Sequence, residues 1–434
     1  NQFFSIPLIY SDYRNIYSFI HNLKNIKIVN QFDKINIKLS KNNYNALVEE
    51  VNKLKKNALN GAILIKGKEP KRFKAKIKYK NYSIPATIEL KGILISHIKY
   101  DNAWSLEIKL KKGHTINGFK NFSIQNFNER QFPYNAILND IYKTKNFTTK
   151  DHFPIKISVN GLNWGLMYAE EEFSEVFFER RKIKNPYVFS IGDKKKHENT
   201  YLILKNQKKN ISYDDVLDHI NFDLNNFFKV KISGKNLKKN HTIDKYSLNE
   251  IKKNTYQIIN LNSKFLPFNK FYTLEEDFIR LYGLSIIFCE DHAVADFNLN
   301  YYLNHYNHKI EIIPGDFSFS NYPNYKPYKF KTYQSYRNKK CDLDNLIKSF
   351  DYKFKNLIKK EENIQKIIDF IDVNYINLIN LYNDMLHDYS QNFNFDYEYF
   401  KIKKIDNFKN KIFTKIKNIN EGKNNNDNIK DIEF

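Results

Sequence analysis

Cysteine is almost missing from this chain: 434 residues hold two, Cys289 and Cys341. Two thiols build neither a disulfide scaffold nor a thiolate zinc site. A single bridge between them stays open, and so does the redox compartment. Glycine is scarce too, at 12 residues. No uninterrupted apolar run approaches the roughly 20 residues of a membrane-spanning helix. FFSIPLIY, near the start, is too short to be an anchor by itself. The histidines of HYNH lack zinc spacing, and no internal repeat is present. The chain opens on Asn1 rather than Met, so a lost leader is left open. A cytoplasmic and a cell-envelope location both remain.

Aromatic and apolar residues are plentiful. The chain is 41% hydrophobic and 16% aromatic, with 36 Phe and 31 Tyr, which is enough to bury a substantial core and excludes wholesale disorder. The formal charge is +23, from 71 Lys and Arg against 48 Asp and Glu. Such a balance invites a nucleic-acid reading. Lysine outnumbers arginine, however, and Asn, Ile and Lys are abundant along the whole length. That is the mark of A/T-rich codons rather than of a localised basic patch, so no specific nucleic-acid partner is expected.

The periodicities give an α+β chain. IVNQFDKINIKL reads as a strand. Tyr44, Leu47, Val48, Val51 and Leu54 predict an amphipathic helix over 43–57, with Gly61 as its stop. Phe73, Ala75, Ile77 and Tyr79 alternate with basic residues, turn at Lys80-Asn81, and return through Ala86, Ile88 and Leu90. Trp104, Leu106, Ile108 and Leu110 make a third strand, with Ser105, Glu107, Lys109 and Lys111 on its other face. A short helix follows at 132–142. Ile155, Ile157 and Val159 lead to Asn160-Gly161 and back through Gly165–Tyr168, a strong hairpin signal. Residues 172–181 read as a short helix. The stretch 200–265 is polar and poorly periodic. Thr273 and Glu276 form a capping box for a helix ending near Cys289. Ile310, Ile312 and Phe317 flank a short strand containing Pro314-Gly315-Asp316. Residues 320–340 are a tyrosine-rich loop, and helix resumes from Asp342 through about 388. The last residues read as a frayed tail.

Chemistry concentrates in EDHAVADFNLNYYLNHYNHKIEIIPGDFSF, residues 290–319. Asp291 and Asp316 supply carboxylates and Asn298 an amide oxygen, all hard ligands suited to Mg²⁺. Upstream, Lys109 lies on the polar face of a strand, and one of Glu170, Glu171 and Glu172 could brace it. The order Lys, Glu, Asp, Asn, Asp is the order of the catalytic groups in kinases. The plainer readings are a helix-end cap for Asp291, a turn residue for Asp316 and an exposed strand lysine for Lys109.

LKGILISHIKYDNAWSLEIKLKKG, GFKNFSIQNF, ISVNGLNWGLMYAEEEFSEVFFERR and DHAVADFNLNYYLNHYNHKIEIIPGDFSF together resemble the CotH kinase-like family, over roughly residues 35–330. The resemblance implies an atypical protein-kinase-like two-lobed fold with insertions and a helical C-terminal region. It implies ATP and a divalent metal, Mg²⁺ or Mn²⁺, and phosphoryl transfer to a hydroxyl acceptor, Ser or Thr in some members. Glu171, six residues after Gly165, falls on the family's glutamate. Asp291 falls on its catalytic aspartate, Asn298 on the asparagine before the Tyr301-Tyr302 pair, and Asp316 on its metal-binding aspartate. Lys109 takes the place of the phosphate-binding lysine. Gly315 and Ser318 stand where many members carry Trp and a second Asp, and Met167 where many carry Tyr. No G-x-G-x-x-G loop occurs, so ordinary kinase membership is not implied.

These readings divide the chain into a lead-in (1–34), a kinase-like domain (35–340), a helical region (341–415) and a tail (416–434). The acceptor is a protein or a saccharide, and the C-terminal helices could carry an oligomer contact. Two further readings stand beside the enzyme. One is a catalytically idle CotH-like structural or assembly protein of a surface or envelope. The other is a basic binding module for nucleic acid or an anionic polymer, which would need lysines contiguous in space and strongly salt-dependent binding.

Overall fold

Phe73, Ala75, Ile77 and Tyr79 alternate with basic residues, and in the computed structural model they form a strand with one buried and one exposed face. The structure describes residues 32–58, 71–92, 94–99, 102–111, 113–183, 187–191, 228–232, 272–290, 298–304, 309–317 and 361–393, with shorter pieces elsewhere. Seven strands make a closed barrel: β1 (Lys34–Lys38), β2 (Arg72–Tyr79), β3 (Tyr82–Leu90), β4 (Leu106–Leu110), β5 (Asn121–Gln125), β6 (His152–Val159) and β7 (Leu162–Glu171), in the order β1-β2-β3-β4-β5-β7-β6. Ile35, Ile77, Ile88, Ile108, Phe122 and Ile157 fill its interior. Helix α1 (Lys41–Lys56) adds Leu47, Val51 and Leu54 to the same core. Its first turn is capped by Ser40 Oγ, which accepts from Asn43 N at 3.3 Å.

The closed barrel overturns the two-lobed kinase-like fold expected from the resemblance. A kinase-type open sheet has two free edges. Here β1 and β6 pair in parallel, with Lys34 opposite Lys156 and Ile37 opposite Val159. Parallel partners far apart in the chain leave no local signature in sequence. The hairpin at Asn160-Gly161 forms as its residues dictate: φ is +49° at Asn160 and +88° at Gly161, both left-handed, as a type I′ turn requires. Asn160 also fastens the closure, because Leu39 N donates to Asn160 Oδ1 at 2.8 Å and Asn160 N donates to Ile37 O at 2.9 Å. We expect Asn160→Ala to lose about 2 kcal/mol, from left-handed strain and the lost acceptor, and Asn160→Gly about 1, from the acceptor alone. Urea unfolding of both variants checks this, and equal losses would remove the strain contribution.

Outside the barrel, α2 (Tyr134–Thr144) and the short α3 (Glu175–Arg180) join a second layer. Its four-stranded sheet runs β11-β10-β8-β9, from β8 (Tyr187–Ile191), β9 (Phe228–Ile232), β10 (Asn300–Asn304) and β11 (Lys309–Ile313). Helices α4 (Tyr272–Phe288) and α5 (Glu361–Phe393) pack on α2 around Tyr134, Leu281, Phe288, Ile367, Ile379 and Tyr382. The apolar stripe of α5 is therefore spent within the chain. Thr273 lies inside α4 rather than ahead of it. Cys289, at its end, is disulfide-bonded. The expectations for Gly61, the loop from 320 to 339 and the helix start at 342 fall outside the described residues, as do those for most of 200–265 and of the tail.

Candidate functional site

Residues directly opposite each other in a sheet share a face. One rung crosses six strands of the barrel: Arg72, Glu89, Glu107, Ser123, Glu170 and His152. The interior already holds Ile88, Ile108 and Phe122, so this polar rung lies on the outer wall. Lys109 stands beside it, with Nζ 2.9 Å from Glu107 Oε1 and 3.4 Å from Glu89 Oε1.

The buried end of the rung is a knot of charge. Glu170 Oε1 accepts from Arg130 Nη2 at 3.0 Å and from Lys150 Nζ at 3.1 Å. Lys150 also reaches Glu172 Oε2 at 2.8 Å, and Lys91 pairs with Glu172. Burial alone would push the Glu170 carboxyl up, but Arg130, Lys150 and Lys91 outweigh it and bring it down to about 2. Lys91 is driven well below the usual lysine range, first by burial and then by Lys150 and Arg130, against the pull of Glu170 and Glu107. The Gln125 amide, turned so that its oxygen faces Arg130, accepts from Nε at 2.9 Å and Nη2 at 3.0 Å.

Arg130 bridges the two layers. Its other amino group, Nη1, pairs with Asp316 Oδ1, just beyond β11. Asp316 has φ +63°. His292 Nδ1 donates to the Asp316 carbonyl at 2.6 Å, and Asn298 Nδ2 donates to the His292 carbonyl at 2.7 Å. That commits the nitrogen end of the Asn298 amide and leaves Oδ1 as its ligand atom. Helix α2 holds the frame: Asn135 Nδ2 donates to Phe317 O at 2.8 Å, and Tyr134 OH to Phe288 O at 2.7 Å. These bonds fix the segments on either side of the Asp316–Asn298 junction.

The structure thus brings Asp316 and Asn298 together through His292, while Asp291 lies outside the described residues. It does not bring Lys109 to Glu171. Glu171 stands opposite Phe122, which stands opposite Ile108, so it takes the interior face and Lys109 the outer one. Glu171 is fully buried and paired with Arg180 at 3.0 Å and Arg181 at 3.2 Å, which also hold Asp151. Burial pushes its carboxyl up, against the two arginines. It fastens α3 to the barrel. The lysines bracing the outer wall are Lys91 and Lys150, and their partners are Glu170 and Glu172. Alternation along β7 carries this signal, since Met167, Ala169 and Glu171 share one face and Tyr168 and Glu170 the other. Arg130 has no such signal, because its role depends on two layers meeting.

Asp316 and Asn298 offer two hard oxygen donors, which fits an Mg²⁺ that keeps several waters. Among the described residues no three His, Cys, Asp or Glu side chains are grouped to hold an ion. Nor is any described helix long and apolar enough to cross a membrane. Compared with models of known protein families the chain matches none, and compared with curated proteins it matches none.

Proposed function

We propose that this chain transfers a phosphoryl group from ATP, with a divalent metal, to a hydroxyl acceptor on a protein or a saccharide. The observation that carries this reading is the Arg130 bridge. It places a wall of lysines, held by buried carboxylates, against a loop bearing an aspartate and an asparagine amide oxygen. Phosphoryl transfer asks little covalent chemistry of a protein and depends mainly on positioned charge. In this reading Lys91, Lys150 and Arg130 hold the phosphates, and Glu170 keeps those cations in place. Lys109 contributes a weaker, more exposed charge. Asp316 and Asn298 hold Mg²⁺ or Mn²⁺, which neutralises phosphate charge when bound. Asp291 orients the acceptor hydroxyl and takes its proton. The barrel replaces the two-lobed fold as the scaffold for these groups.

Transfer of labelled γ-phosphate with Mg²⁺ or Mn²⁺ tests this. We expect Asp316→Ala and Asp291→Ala each to lower transfer by about a thousandfold, and Lys91→Ala to cost more than Lys109→Ala. Absence of ATP binding with either metal would sink the reading.

A second reading is favoured by one observation: the Asp316 carboxylate is already engaged by Arg130. In that reading the chain is an idle structural or assembly protein, cytoplasmic or at a cell envelope. Val373 and Ile376, exposed one turn apart on α5, offer it a contact for self-association. ATP binding without transfer to any acceptor is its signature.

A further inference from the structure

The far wall of the barrel has a different character from the rung beside Arg130. Outward positions of β1 are Lys34, Asn36 and Lys38, and those of β2 are Arg72, Lys74, Lys76 and Lys78. The two strands are neighbours, with Lys38 opposite Lys76 and Asn36 opposite Lys78. All five lysines are exposed. Among the described residues of β1, β2 and their flanks, carboxylates appear only at the ends of the patch and are already engaged. Asp33 accepts from Tyr79 OH at 2.7 Å, and Glu89 accepts from Arg72 Nε at 2.9 Å. Among the described residues no carboxylate pairs with Lys34, Lys38, Lys74, Lys76 or Lys78. Lys38 and Lys78 come close enough that Lys78 lowers the Lys38 ammonium below its usual range. Codon bias supplies lysine everywhere. It does not explain a two-strand face without one outward acid, when the outward positions of β3 and β4 carry Glu89 and Glu107.

We propose that this wall is a docking face for a single-stranded nucleic-acid chain, held through its phosphodiester backbone. Alternate residues of a strand recur about every 6.7 Å and neighbouring strands lie about 4.8 Å apart. That grid suits the repeat of phosphates along an extended single strand. Lysine offers point charges rather than the bidentate fork of arginine, so the face binds charge without reading bases. A flat anionic membrane fits less well. The wall is convex, and the exposed apolar tips, Tyr82 and Leu162, lie at opposite ends of β1. The face is separate from the Arg130 junction and does not depend on phosphoryl transfer.

Binding of labelled single-stranded oligothymidylate to the full chain across a salt series tests the proposal. Five phosphate contacts give a slope of log affinity against log salt of about −3.5. The triple change Lys74→Glu, Lys76→Glu, Lys78→Glu is expected to weaken binding by about a hundredfold or more and flatten the slope by about 2. Lys74→Gln, Lys76→Gln, Lys78→Gln serves if the reversed variant melts early. The control is Lys53→Glu, Lys56→Glu, Lys182→Glu, exposed positions elsewhere with the same change in net charge, which should move affinity less than about threefold. Equal loss in wall and control variants would overturn the docking face and leave only net charge. Tighter binding of anionic vesicles or of an acidic polysaccharide through the same lysines would overturn the nucleic-acid assignment.

Discussion

Arg130→Met is expected to cost about 3 kcal/mol at neutral pH, because it takes one of two direct cationic partners from a buried carboxylate and leaves Glu170 to Lys150. The Glu170 side chain is 4% exposed and that of Arg130 is 9%, so water cannot take over the lost partner. Glu170→Gln in the same chain should recover a large part of the loss, since a neutral amide needs no cation. The pH dependence follows from the same pair. Glu170 titrates near 2 in the folded chain against an ordinary 4.5. A depressed carboxylate contributes stability that is complete above the unfolded value and is lost as pH falls through the folded one. The window is therefore from about 4.5 down to about 2, and the contribution is on the order of 3 kcal/mol. Glu170→Gln removes this part of the acid limb. Denaturant unfolding between neutral and acid pH measures both effects. A loss below about 1 kcal/mol for Arg130→Met would show that the junction is hydrated and that the bridge holds nothing together.

Gly92→Ala should cost about 2–4 kcal/mol, which is large for one methyl group on a loop. Gly92 has φ +81°, where an L side chain is strained by about 1–2 kcal/mol. A Cβ there would also lie 2.0 Å from His97 Cδ2. The ring cannot swing away freely, because His97 Nδ1 and Ser105 Oγ are hydrogen-bonded at 2.9 Å and Glu129 lies beyond Nε2. Gly113 separates the two causes. It has φ +87° with nothing near its Cβ, so Gly113→Ala should show the strain alone. The thermal midpoints of the two variants decide the matter, and equal shifts would refute the clash with His97. Gly92 directly follows Lys91, so the same substitution should also weaken whatever anion the lysine holds.

Much of the barrel is written locally. The pattern of β2, the turn at Lys80-Asn81 and the return in β3 follow from alternation, because side chains on a strand point to opposite faces in turn. Asn160-Gly161 declares its hairpin by the two left-handed residues that only such a turn needs. The helix expected over 43–57 is Lys41–Lys56, and the one expected through 388 runs to Phe393. Asp316 and Asn298 stand out as hard ligands, and His292 links the two positions by hydrogen bonds to each.

Pairings between distant segments are where the residues fall silent. β1 and β6 close the barrel in parallel, and neither segment carries a mark of the other. Glu170, Glu171 and Glu172 are the same residue three times over as a string. Alternation along β7 separates Glu171 from Glu170, but only the packing supplies their partners, Arg180 and Arg181 for the one and Arg130 and Lys150 for the other. The lysines of β1 and β2 look like uniform composition until the sheet sets them side by side. Composition and spacing therefore determined the elements, the core-forming capacity and the candidate oxygen ligands. Only tertiary structure decided which charges meet, because a buried ion pair depends on register and burial, and both are properties of segments brought together from across the chain.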